Sequence, residues 1–105
     1  MINIHELAKM MSDVNKSKII IHFFSCDCHK LEVNTLCSKW AIEQSNLSKH
    51  LNTLNAKGVL SYVQEHRKKY YYMPEEFKEE WKSILEPMAK HKDLKEFSCS
   101  CLKNC

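Results

Sequence analysis

Glycine is almost missing from this chain: Gly58 is the single one in 105 residues, and there are only two prolines. So few turn formers leave little room for tight loops and favour helices. Long apolar runs are missing too. The first apolar run, Ile19 to Phe24, contains His22 and is far too short to span a bilayer. No signal peptide is visible, so a cytoplasmic, reducing setting and no membrane partner are expected. Acids are scarce in the middle of the chain. From 44 to 70 there is one, Glu65, against five Lys/Arg. No Ser/His/Asp set, no paired carboxylates in an apolar setting and no phosphate loop can be found, so an enzyme is not expected and no organic cofactor is implied.

Cysteine is not scarce. Six cysteines in a reduced compartment point to metal binding or redox sensing, since a disulfide framework belongs to oxidising compartments. Hydrophobic residues make up 44%, which suits a folded domain. At this length only about two-thirds of the unfolded surface is hidden on folding, which leaves a use for a partner subunit. The formal charge of +3 is unevenly placed. Residues 1–74 carry ten Lys/Arg against six Asp/Glu, and residues 75–105 carry six against seven. A basic middle segment is what a phosphate-binding face requires.

The stretch Glu43 to Leu60 organises the rest. Leu47, Leu51 and Leu54 recur at i, i+4 and i+7, one apolar stripe of a helix. Gln44, Ser45, Asn46, Ser48, Lys49, His50 and Asn52 stand between them, all of them small or donor-rich and none an acid. Such groups hydrogen-bond base edges and phosphates. Gly58 sits where the helix should stop. Upstream, the pattern predicts a short helix over Ile4–Met11. It also predicts a buried one through Lys16 to about Ser25, capped by Asp13 or Asn15, and a third over Val33–Trp40. Cys26 to Lys30 reads as a loop. Two helices joined by Ala41-Ile42-Glu43, the second polar and basic outside, form a helix-turn-helix.

After Gly58, a strand around Leu60 to Val63 and a second over Lys68 to Met73 make a hairpin tipped by His66, Arg67, Lys68 and Lys69. Such a wing is suited to backbone phosphates or a minor groove. Pro74, Glu75 and Glu76 open a last helix with Phe77, Trp81, Ile84/Leu85 and Met88 on one side, and Pro87 is expected to kink or shorten it. The fold class is therefore mainly α with a small β-hairpin. A winged helix-turn-helix domain occupies 1–95, and a cysteine-rich tail occupies 96–105.

On Val33-Asn-Thr-Leu36, Leu47-Ser-Lys-His-Leu51, Leu54-Asn-Ala-Lys-Gly-Val-Leu60 and Arg67-Lys-Lys-Tyr-Tyr71, the chain resembles the ArsR/SmtB family of winged-helix repressors across roughly 15–85. The resemblance implies a homodimer joined through its first and last helices. It also implies binding to operator double-stranded DNA, with release when an inducer binds. Gln44, Ser45, Asn46, Ser48, Lys49 and His50 would enter the major groove, with Arg67, Lys68 and Lys69 on phosphates. The wing tip lacks the glycine common in the family, and the last helix has no histidine before His91, so the zinc site of the zinc-sensing members is not expected. Arsenic-sensing members carry a Cys-x-Cys-x-x-Cys run whose positions fall here on Glu32, Asn34 and Cys37, and only the third is kept.

The chain brings its own thiols instead. Cys26, Cys28, Cys37 and His29 lie within twelve residues, and Cys99, Cys101 and Cys105 form a second group in the tail. Cys37 alone reads as a small buried residue. The clustering points to a soft ion, and the resemblance to the arsenic-sensing members at Cys37 puts As(III) or Sb(III) first, Cd(II) or Pb(II) next, then Zn(II) or Cu(I). The expected function is a repressor that leaves its operator when such an ion binds. Two alternatives stand beside it: a thiol redox or sulfide-sensing repressor, and a metal-buffering protein with no DNA role.

Overall fold

The computed structural model describes residues 2–26, 31–32, 37 and 40–98. Helix α1, Ile4–Met11, starts with a capping box: Asn3 Oδ1 accepts from the Glu6 amide at 2.9 Å, and Glu6 Oε1 accepts from the Asn3 amide at 3.2 Å. Of the two candidates for the next cap, Asp13 serves, its carboxylate accepting from the Lys16 amide at 3.0 Å. Helix α2 then spans Val14–Ser25. Ile19, Ile20, Ile21, His22 and Phe23 are all buried, so this helix is hidden on nearly every side, as its composition predicts. His22 lies edge-on to Phe23 and Trp40, with ring centroids 5.7 and 5.0 Å away. At the far end the Cys26 carbonyl accepts from Lys78 Nζ at 2.8 Å, a cation placed at the negative end of α2.

The next element has no counterpart among the predicted ones. Leu31–Glu32 forms a two-residue strand, β1, antiparallel to a later strand with Leu31 opposite Tyr71 and Glu32 opposite Tyr70. The third predicted helix, Val33–Trp40, lies largely outside the described residues, but Cys37 and Trp40 are helical. The Ile42 amide donates to the Cys37 carbonyl at 3.2 Å around Ala41, whose φ is 54°. This closes the turn of the helix-turn-helix.

Helix α3, Gln44–Ala56, follows and buries Leu47, Leu51 and Leu54 completely. Its end is a Schellman motif: the Val59 amide bonds the Leu54 carbonyl at 2.9 Å and the Gly58 amide bonds the Asn55 carbonyl at 3.0 Å. Gly58 has φ 82°, and a Cβ there would meet nothing within 4 Å. Strain of the left-handed backbone is thus the only penalty for a side chain. Gly58→Ala is expected to lower stability by about 1–2 kcal/mol, with melting falling about 4–8 °C per kcal/mol. An unchanged melting temperature would contradict that assignment.

Strands β2, Ser61–Glu65, and β3, Lys68–Tyr72, form the wing, and the sheet order is β1-β3-β2. The hairpin is therefore part of a three-stranded sheet. His66 and Arg67 connect the strands with φ of 51° and 74°. This is a two-residue turn of the I′ kind, made without the glycine or asparagine that ordinarily eases it. Helix α4 runs Glu75–Lys90 and passes through Pro87 instead of being shortened by it. Pro87 is exposed, while Leu85 and Met88 on either side pack on the core. A 3₁₀ turn, Lys95–Phe97, folds back against α2, with Lys18 Nζ 4.9 Å from the Phe97 ring centre. Among the described residues no helix is long and apolar enough to cross a membrane.

Candidate nucleic-acid interface

The buried stripe of α3 fixes what its other side displays. At 100° per residue, Ser45, Lys49, Asn52 and Ala56 fall opposite Leu47, Leu51 and Leu54, and all four are exposed. Asn46, exposed, and Ser48, half-buried, stand on the shoulders of this ridge, while Gln44, exposed, and His50, half-buried, lie nearer the leucine stripe. The structure thus brings Ser45, Asn46, Ser48 and Lys49 to the outward side of α3 and leaves Gln44 and His50 toward its leucine side. It adds Asn52, whose place on the ridge is readable from its spacing to Ser45 and Lys49.

His50 turns toward the start of α2. Burial holds its imidazole below the ordinary value, and Lys16 adds to this against the pull of Asp13. Asp13 itself is held low, first by the Lys16 amide. An unfolded histidine takes its proton near pH 6.5, whereas His50 in the folded chain takes it only at lower pH. The unfolded state therefore binds more protons just below that value, and stability is expected to fall as pH is lowered through it. Melting curves between about pH 7.5 and about 5.5 should be flatter for His50→Asn than for the unsubstituted chain. Equal slopes would refute the assignment.

The wing stands on the Asn52 side of α3. Arg67, Lys68 and Lys69 are exposed at its tip and on the outgoing strand. Lys69 Nζ sits 4.6 Å from the Tyr62 ring centre, and the Tyr62 and Tyr71 rings are 5.5 Å apart. Tyr71 is buried, and its hydroxyl donates to Asn52 Oδ1 at 3.3 Å. On the other flank Lys57 Nζ pairs with Glu6 Oε2 at 3.2 Å and ties the end of α3 to α1. Away from this face, Ile4, Leu7, Ala8 and Met11 of α1 and Ile84 and Met88 of α4 line an apolar groove of about 310 Å³.

Two of the six predicted thiol ligands are described. Cys26 is a buried thiol at the end of α2 and Cys37 a half-buried one, and neither is in a disulfide. Cys28, Cys99, Cys101 and Cys105, with His29, lie outside the described residues. Among the described residues no three His, Cys, Asp or Glu side chains are placed to hold a metal ion.

No protein-family model and no curated protein sequence matches the chain. Solved structures do. HlyU from Vibrio cholerae N16961 is 25% identical, with a TM-score of 0.64 over 80% of this chain and 85% of its own. The transcriptional regulator HlyU from Vibrio vulnificus CMCP6 is 29% identical, with a TM-score of 0.61 over 77% of this chain and 82% of its own. A predicted DNA-binding transcriptional regulator from E. coli shares the fold at 17% identity, with a TM-score of 0.61 over 80% of this chain and 86% of that one. The fold is that of winged helix-turn-helix regulators.

Proposed function

We propose that this chain is a DNA-binding transcriptional repressor of the ArsR/SmtB type. In this reading it acts as a homodimer on operator double-stranded DNA and lets go when a thiophilic metal or metalloid binds its cysteine thiolates. One observation carries the DNA reading: the outward face of α3 offers amides, hydroxyls and Lys49, with Arg67, Lys68 and Lys69 of the wing beside it. Base edges are read by the first set and phosphates are held by the second. The likeness to two HlyU structures over more than three-quarters of the chain points the same way. The groove between α1 and α4 supports the homodimer, since a second copy related by a two-fold axis buries the same apolar side chains from both subunits.

The effector reading rests on donor chemistry. Soft thiolates select soft ions, and the resemblance to arsenic-sensing repressors at Cys37 favours As(III) or Sb(III), with Cd(II) or Pb(II) next. Cys26 and Cys37 are reduced thiols on either side of Cys28 in the sequence. Since the described side chains alone do not complete a site, the remaining donors have to come from Cys28, His29 or the tail thiols.

Fluorescence anisotropy with a labelled duplex from the region upstream of its own coding sequence tests both halves. The duplex is expected to bind. As(III), Sb(III), Cd(II) or Pb(II) is expected to weaken binding, and the response should vanish when Cys26, Cys28 and Cys37, or the three tail cysteines, are changed to serine. Indifference to every ion, with release by an oxidant and recovery in dithiothreitol, would replace the metal reading by the thiol-redox one. Absence of duplex binding would overturn the repressor reading and leave metal buffering.

A further inference from the structure

Asn52 and Tyr71 bear on which bases α3 reads, an inference that rests on the DNA reading above. Asn52 is exposed on the outer ridge of α3, one turn beyond Lys49. Its amide is not free to present either end. Tyr71, 4% exposed in β3, directs its hydroxyl at Asn52 Oδ1 from 3.3 Å. Burial, helped by Tyr62, pushes the phenol up, so the hydroxyl keeps its proton and remains a donor. The ring cannot swing away easily. Tyr62 packs 5.5 Å from it on the paired strand, and the Tyr71 backbone sits in register with both Tyr62 and Leu31.

An unrestrained asparagine reads adenine with both ends, accepting from N6 through Oδ1 and donating to N7 through Nδ2. Here the oxygen is turned toward the wing and held there. What remains for the groove is the Nδ2 amine, a donor only. We propose that Asn52 is a specificity-determining residue that reads an acceptor edge, met most fully by N7 and O6 of guanine. Tyr71 is the positioning residue that sets this polarity. The wing then does more than hold phosphates. Through one hydrogen bond it fixes the hydrogen-bonding sense of a residue on the reading helix.

Selection of bound duplexes from a randomised pool, using the full chain, tests this through base frequencies. The unsubstituted chain should show one position per half-site where guanine is preferred by about tenfold or more. Asn52→Ala should erase the preference at that position and leave the others. Tyr71→Phe keeps the ring and removes only the hydroxyl. It should fold with a similar melting temperature and shift that one position toward adenine, because the freed amide can offer both ends. Asn52→Asp leaves the buried ring untouched and converts the donor to an acceptor, so it should exchange guanine for cytosine or adenine at the same position. The proposal is overturned if Tyr71→Phe folds and keeps the unsubstituted profile. It is equally overturned if Asn52→Asp keeps guanine, or if Asn52→Ala loses no position. If the unsubstituted chain retains no duplex at all, the DNA reading itself has failed, and this inference fails with it.

Discussion

With Lys68 and Lys69 both replaced by alanine, affinity should fall for every duplex alike. The slope of log affinity against log salt should become shallower by about one for each phosphate that is no longer neutralised. Lys69 stands over the Tyr62 ring on the face of the hairpin, and Lys68 is exposed where the chain leaves the turn. A lysine on a phosphate releases a counterion and reads no sequence, so base preference should be unchanged while salt sensitivity drops. A companion variant separates charge from folding. Arg67 sits at φ 74°, which glycine adopts without strain. Arg67→Gly should therefore melt no lower than the parent and still lose part of the salt slope. Equal slopes in parent and double variant, from titrations at several salt concentrations, would remove the wing from the DNA-binding surface.

Leu51→Ala should lower stability by about 2–5 kcal/mol. That is a large share of the roughly 5–15 kcal/mol that holds a domain of this size together. Leu51 is completely buried in the middle of the stripe that sets the orientation of α3, between Leu47 and Leu54. Truncation removes apolar packing and leaves a cavity beneath the helix that displays Lys49 and Asn52. The loss should appear first in the denaturation midpoint. Under conditions where the variant is still folded, affinity should drop with little change in salt slope, because the wing proposed to hold phosphates is intact. A variant as stable as the parent would mean that α3 is held by something other than its leucine stripe.

Much of this was legible because it is local. Three leucines at helical spacing and one glycine locate α3 and its end, and Asp13 announces the start of α2. The hairpin and its basic tip follow from alternation and charge. What could not be read depends on residues brought together from a distance. Strand β1 has two residues, too few for any period, and exists because β3 offers it a free edge. The hydrogen bond between Tyr71 and Asn52 joins residues nineteen apart in the sequence and needs the wing already in place. The wing turn hid its type because His66 and Arg67 adopt a backbone usually left to glycine and asparagine. Pro87 does not shorten its helix, which runs on to Lys90. Four of the six thiols lie outside the described residues, so the proposed effector site rests on their spacing in the sequence.

The short pairing of β1 with β3 gives the molecule a clock. The backbone of β3 is held on one side by five residues of β2 and on the other by only two, opposite Tyr70 and Tyr71. Hydrogen exchange should resolve the two sides. Amides in the β2–β3 ladder should exchange at rates near those of the buried helices, while those bridging β1 and β3 should open sooner. Because β1 begins five residues after Cys26, an event at the Cys26–Cys28 pair that draws β1 away should quicken exchange of the amides that bridge β1 and β3 before any change in the β2–β3 ladder. Mass-spectrometric exchange with and without As(III) would record it without any DNA present.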